Sequence, residues 1–264
     1  MNKPHLSASQ IKSYLRCPES YRRNRESRAP PTLAIIAGSG VHRAAAENGM
    51  QKIESHNDLE ASDVIDLAVA AFDEQIGSDF WRLEPGEPKS TAPGKARDRT
   101  AMMAGAWRKL AAPAYQPVFV EAKIDIPGAT RDLVGYVDLI DDRGRVVDWK
   151  TAGRSKRQTE ADAEIGLTVY AAGFAAMTGN LPSSVILDVV INKRNPERQT
   201  LVSTRGPADF AALVETVNVV AAGIDAGYYP PAITATTGAW PCSTCFYRGD
   251  CKYLNGRKLF DLGS

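Results

Sequence analysis

Two short stretches in the middle of the chain hold side chains able to do hydrolytic chemistry: Gly135-Tyr136-Val137-Asp138 and, after a turn, Val147-Asp148-Trp149-Lys150-Thr151. On a strand, side chains two apart share a face, so Asp148 and Lys150 project together. Asp138 lies on the preceding strand, across the hairpin, near enough to share that face. Two carboxylates and an amine at the end of a sheet suit Mg²⁺ or Mn²⁺, which take hard oxygen ligands and set a cation beside an attacking water. The same residues also suit a cross-strand salt bridge on a solvated face, and Asp-x-Lys is too common a tripeptide to choose between the two. Glu121, flanked by Val120 and Ala122, either adds a third carboxylate or is an outward-facing strand residue. His42, in Gly40-Val41-His42 at the opening of a helix, offers a neutral imidazole as a further ligand. His5 and His56 show that residue type alone decides nothing there. Tyr170, on the helix after the sheet, reads as a core residue or as a phosphate contact.

A second set is formed by the four cysteines, Cys17, Cys242, Cys245 and Cys251. The spacing Cys242-x2-Cys245-x5-Cys251 supplies three thiolates from one loop, and Cys17 joins them if the N-terminal helix packs on the C-terminal segment. Four cysteines in a reducing compartment are a poor disulfide framework. All-cysteine ligation fits zinc or an iron–sulfur cluster. Zinc sites usually draw ligands as two short-spaced pairs, so a one-plus-three arrangement favours the cluster, with zinc and free thiols as the alternatives.

The elements that must position these groups follow from period and punctuation. Residues 9–25 carry Ile11, Tyr14, Leu15 and Tyr21 at helical spacing, with Ser7 or Ser9 as N-cap and Pro18 as an interruption or a second start. A Pro-containing connector leads to helices expected over 40–53, 59–76 and 96–111. The period then changes: strands are expected over 118–126, 132–140 and 145–149, the last two joined by a tight turn at Asp141-Asp142-Arg143-Gly144. A helix over 162–177, strands over 185–192 and 199–204, and a helix over 207–226 complete the pattern. Residues 227–264 have little periodicity. With 264 residues the chain makes one large domain or two small ones, and 44% apolar with 24% charged residues marks it as globular. No apolar run approaches the ~18 residues of a membrane helix, and no signal-like h-region opens the chain, so no membrane partner and a cytoplasmic location are expected. Lys plus Arg (32) balances Asp plus Glu (31), so an anionic partner must be held by local patches. Three patches are present: Arg16, Arg22, Arg23, Arg25 and Arg28; Arg154, Lys156 and Arg157; and Lys193, Arg194 and Arg198. Each reads as a solvated face or as part of a track for a phosphodiester strand. Tyr21, Trp240, Phe246 and Tyr247 suit base stacking or core packing.

Taken in order, Cys17, Gly40-Val41-His42, Glu121, Gly135-x-x-Asp138, Asp148-x-Lys150, Tyr170 and Cys242-x2-Cys245-x5-Cys251 resemble the RecB-type PD-(D/E)XK exonucleases. The likeness is to the branch with an iron–sulfur staple, as in AddB-type helicase-nucleases and CRISPR-associated exonucleases, and the opening LSASQIKSYLRCPESYR is similar to that branch's first motif. The resemblance implies a single nuclease domain over 1–264, with an α/β/α restriction-endonuclease-like core. Residues 1–113 would be a mainly helical part, 114–226 the catalytic sheet and 227–264 the iron–sulfur segment. It implies that His42, Asp138, Asp148 and the Trp149 carbonyl hold Mg²⁺ or Mn²⁺, that Lys150 activates water, and that Glu121 and Tyr170 assist. It implies a [4Fe-4S] cluster on Cys17, Cys242, Cys245 and Cys251, and DNA ends as substrate, contacted by Arg22, Arg23, Arg154, Lys156 and Arg157. Protein partners in a recombination or CRISPR complex would fit. Where the family has Gln-x-x-x-Tyr, the glutamine position is Gly166 here. No Gly-x-x-x-x-Gly-Lys-Ser/Thr occurs, so no ATP-driven motor is expected.

Overall fold

Ser7 starts helix α1 (Ala8–Arg16) with a capping box: its hydroxyl accepts from the Gln10 N–H at 3.3 Å, and the Gln10 side-chain oxygen accepts from the Ser7 N–H at 2.8 Å. Pro18 sits in the first turn of α2 (Pro18–Glu26), where its missing N–H costs nothing, so the chain turns at Cys17 and restarts at once. The computed structural model describes residues 5–127, 130–235 and 237–254. It falls into two compact units, one built from Met1–Ala29, Pro127–Val134 and Ala211–Ser264, the other from Pro30–Ile126 and Gly135–Phe210.

The second unit holds the candidate active site. Its helices α3 (Leu33–Ser55), α4 (Ala61–Gly77) and α5 (Ala92–Leu110) precede strands β2 (Pro117–Ile126), β3 (Asp132–Asp141) and β4 (Arg145–Ala152). Helices α6 (Gln158–Asp162) and α7 (Ile165–Thr178) then lead to β5 (Ser184–Ile191) and β6 (Glu197–Ser203). Strand β3 pairs antiparallel with β4 through the expected hairpin, where Gly144 takes φ 68°. The crossover through α6 and α7 makes β4 and β5 parallel, and β6 returns antiparallel. Val41, Ala44, Met103, Ala104 and Trp107 pack on Leu139, Val147, Trp149, Ile186 and Val190, so α3 and α5 cover one face of the sheet. Helix α7 packs against β2, β4 and β5. This is a mixed α/β architecture.

Three elements depart from the sequence expectation. Helix α3 begins at Leu33, inside the segment read as a connector, because Thr32 caps it: the Ile35 N–H donates to Thr32 Oγ1 at 3.4 Å. The helix expected over 162–177 is α7, which starts later, at Ile165, where Glu164 accepts from the Gly166 N–H at 3.0 Å, and the short α6 ahead of it was not expected. A two-residue strand, β1 (His5–Leu6), pairs in parallel with Asp132 and Leu133 and had no periodic signal. The last helix, α8 (Pro207–Asp225), is by length and composition apolar enough to cross a membrane; Asp209 and Glu215 interrupt it, which is why a run-length reading passes over it.

In the first unit, the Tyr14 hydroxyl donates to the Tyr228 carbonyl at 2.7 Å and the Glu19 N–H donates to the Pro230 carbonyl at 3.2 Å. Arg23 Nη2 reaches the Asp250 carbonyl at 3.0 Å, and the Tyr247 hydroxyl donates to the Ser27 carbonyl at 2.6 Å. The N-terminal helices and the C-terminal segment are thus stitched together.

Candidate active site

The pairing of Leu139 with Val147 puts Asp138 directly opposite Asp148. Strand alternation sends Val147 and Trp149 into the core and leaves Asp148 and Lys150 on the other face. Both carboxyl groups are buried, with Asp148 2% exposed. Lys150 Nζ donates to Asp148 Oδ1 at 2.6 Å, and the Trp149 N–H donates to Asp138 Oδ2 at 2.8 Å. The Trp149 ring packs edge-to-face on Trp107 with centroids 4.9 Å apart, which anchors the strand from behind while its backbone serves the site.

His42 reaches this pair from α3, with Nδ1 3.6 Å from Asp138 Oδ2. Burial first, and then the Lys150 ammonium, push its pKa down to about 4, so the imidazole is neutral at physiological pH. Burial raises the Asp148 carboxyl to about 6, with Asp138 adding to the rise and Lys150 opposing it. Asp138 is also raised by burial, against the pull of Lys150 and the Trp149 N–H. Burial works against the Lys150 charge, but Asp148 and Asp138 outweigh it and hold the ammonium.

Glu121 lies on β2 with φ 49°, a left-handed backbone that is strained for a glutamate, and the kink stands beside Asp138. Burial and Asp138 raise its carboxyl. Tyr170 is raised by burial and then by Asp148, Asp138 and Glu121, so its hydroxyl stays protonated among them. His42, Glu121, Asp138, Asp148, Lys150 and Tyr170 therefore gather at one place. Glu164 belongs to the same group, since it acts electrostatically on both Lys150 and Tyr170. Sequence reasoning missed it; the only available signal was an N-cap position ahead of an apolar helix. A Cβ at Gly166 would stand 3.2 Å from Glu164 Oε1, so the carboxylate fills the space into which a longer residue 166 would extend.

The donor set fits a divalent cation. Asp138, Asp148 and Glu121 face one ammonium and a neutral imidazole, an excess of negative charge among hard oxygen donors. Among the described residues no three His, Cys, Asp or Glu side chains already stand at the spacing of a single bound ion. Lys150 and the Trp149 N–H take up carboxylate oxygens that such an ion would use.

The four cysteines are unbridged and line one cavity with Arg23 and Ala232. Among the described residues they do not stand at the spacing of a bound metal ion. The expected DNA-contacting cations are largely engaged. Arg22 and Arg23 are turned onto Glu19, at 3.0 and 2.9 Å. Arg154 and Lys156 pair with Glu160 at 3.0 and 3.3 Å, and Arg157 lies 3.8 Å from it. Three cations around one carboxylate still leave positive charge at that surface, and Arg154 first among them holds Glu160 down at about 2. Arg198 is spent inside the fold, 2.7 Å from the buried Asp188.

Two buried acids and a lysine on neighbouring strands of a mixed sheet, with an imidazole from α3 beside them, make up a candidate catalytic site on an α/β fold. Residues 5–252 match the family model of the PD-(D/E)XK nuclease superfamily, and the chain belongs to that superfamily. Its fold is similar to the crystal structure of a candidate exonuclease from Eubacterium rectale, with TM-score 0.57 over 88% of this chain and 86% of that one. At 12% identity the likeness is one of fold alone. A second structure, SSO0001, aligns over 96% of this chain and 88% of its own at 13% identity and TM-score 0.43, too low to carry weight. No curated protein matches the sequence.

Proposed function

We propose that the chain is a Mg²⁺- or Mn²⁺-dependent deoxyribonuclease that hydrolyses phosphodiester bonds from DNA ends, as a single functional nuclease domain over 1–264 in the cytoplasm. The observation that carries this reading is the cross-strand Asp138–Asp148 pair with Lys150 bonded to it, on the buried face that Glu121 and Tyr170 also reach. His42, Asp138, Asp148 and the Trp149 carbonyl would hold the cation, with Glu121 beside them. When bound, the cation supplies a nucleophilic water at neutral pH and offsets charge on the phosphate. Lys150 then orients the water and meets the charge that develops on the phosphoryl oxygens. Asp138 keeps its orientation through the Trp149 N–H, and the protonated Tyr170 hydroxyl is a donor toward phosphate. His42 stays neutral because burial disfavours its charged form, which leaves a lone pair for ligation.

Cys17, Cys242, Cys245 and Cys251 would carry a [4Fe-4S] cluster whose role is to tie the ends of the first unit, with no part in hydrolysis. DNA processing in recombination, repair, phage replication or a CRISPR complex fits this reading. The test is hydrolysis of DNA labelled at either end, by anaerobically purified protein with Mg²⁺ or Mn²⁺, beside Asp148→Ala. Stepwise shortening by the parent, and a loss of several orders of magnitude in the variant, are expected. DNA binding without hydrolysis would instead make the chain a non-catalytic binding or assembly subunit.

A further inference from the structure

The cleft beside the acids has two ends of different chemistry. It is an open cavity of about 560 Å³, lined by His42, Lys150 and Thr151 at one end and by the first turns of α3 along its wall. The volume falls within the ~300–1,000 Å³ of sites that take small molecules, which is room for a nucleotide. Helix α3 divides its residues between two faces. Leu33, Ile36 and Ala37 pack into a core with Phe72, while Ala34, Ile35, Gly38 and Ser39 turn to the cleft on the way to His42. None of those four carries charge. A Cβ at Gly38 would stand 3.2 Å from Thr151 Oγ1, so helix and strand end meet there and the wall is closed.

Ile35 stands at the far end of that wall. It is 58% exposed, although the next residue, Ile36, is fully buried. Single exposed apolar side chains are ordinary on a protein surface. What sets Ile35 apart is that it lines the same cavity as His42 and Lys150. Two turns of α3 separate it from His42, about 10 Å at ~1.5 Å per residue. Bases stacked along a strand stand ~3.4 Å apart, so about three nucleotides span that distance. A phosphate at Lys150 therefore leaves a base of the same strand level with Ile35. The branched side chain has no polar atom to meet a base edge or a phosphate, but it can lie on a ring face, as apolar wedges do where they part stacked bases.

We infer that Ile35 packs on the face of a base about three nucleotides from the scissile bond, and that this contact holds the strand in register with Lys150. This deepens the deoxyribonuclease reading and rests on it. Every base has a ring face, so the contact positions the strand without reading its sequence. Gly38 and Ser39, small residues between the two ends, leave the wall low where the sugar-phosphate passes. Ile35 is then a positioning residue, separate from the groups that do the chemistry.

The experiment uses the full-length protein with Mn²⁺ and an end-labelled single strand carrying one abasic residue, read as a ladder of products. The parent should pause, slowing by on the order of tenfold, when the bond being cut lies about three nucleotides from the abasic residue. Ile35→Ala should step along the intact strand at the parent's paused rate and show no pause. Its melting temperature should not fall, because the side chain is exposed and alanine is the better helix former. Ile35→Leu, which keeps an apolar side chain, should restore both the rate and the pause. A parent that pauses only at the abasic residue itself, or nowhere, overturns the contact and leaves the nuclease reading standing. So does an Ile35→Ala protein that keeps the parent's pause, whatever its rate. A parent that cleaves no DNA at all sinks the nuclease reading, and the role of Ile35 with it.

Discussion

Adding one methyl group at Gly40 tests the link between helix packing and the site. A Cβ there would lie 2.6 Å from the Ala68 carbonyl oxygen and 3.1 Å from Thr100 Cγ2. Ordinary contact begins at 3.4 Å, so α3 must back away from α4 by about 0.8 Å, and the obstacle is backbone that cannot rotate aside. Overpacking of this kind costs ~1–3 kcal/mol. Alanine recovers up to ~1 kcal/mol by being the better helix former. A net loss of about 1 kcal/mol lowers the melting temperature by roughly 2–4 °C in a chain of this size. His42 follows two residues later on the same helix, so the displacement is passed to its imidazole. Misplacement of a reacting or ligating group by about 1 Å can cost ~10²-fold in rate. Gly40→Ala is therefore expected to lose ~10- to 100-fold in DNA hydrolysis, out of proportion to its small loss of stability. Gly105→Ala on α5 is the control: its Cβ meets only the flexible end of Ile65, at 3.2 Å, and both rate and melting temperature should stay near the parent's. Melting curves and initial rates with Mn²⁺ give the two numbers. A Gly40→Ala protein with a lowered melting temperature and the parent's rate would show that His42 does not serve the reaction; no change in either would refute the packing calculation.

Further expectations concern protons, iron and salt. Because the Asp148 carboxyl is raised to about 6, its protonation opposes cation binding, so the rise in melting temperature on adding Mg²⁺ should be large at pH 7.5 and small at pH 5. Without the cation the sign reverses: a raised acid favours the folded state most below its ordinary ~3.9, and that contribution is lost as pH rises through about 6. A Mg²⁺ effect equal at both pH values would remove Asp148 from the ligand set. Anaerobic protein should be brown, with about four irons per chain, and Cys17→Ser should lose iron and protease resistance together; stoichiometric zinc without sulfide would defeat the cluster. DNA binding by Asp148→Ala should weaken steeply with salt, and replacing Arg154 and Lys156 with alanine should flatten the log–log slope by about two. An unchanged slope would leave those two as partners of Glu160 alone.

Local chemistry was legible without coordinates. A period of two put Asp148 and Lys150 on one face, Ser7 and Pro18 marked the ends of the first helices, and Gly144 marked the hairpin; each depends on a few adjacent residues. The Cys242-x2-Cys245-x5-Cys251 spacing pointed to a shared ligand; the four cysteines line one cavity, but among the described residues they form no group that could hold a metal ion. What spacing could not supply was distance across the fold. That Asp138 faces Asp148 depends on the hairpin's register, and a slip of one residue would turn either side chain to the other face. Whether a cation is free for DNA depends on strand pairing: Arg198 looked like part of a basic patch until Asp188, ten positions earlier on the neighbouring strand, claimed it. Glu164 entered the site only because the chain breaks between α6 and α7. Charge, burial and free volume are properties of what surrounds a residue, and in this fold the surroundings come from segments dozens of positions away.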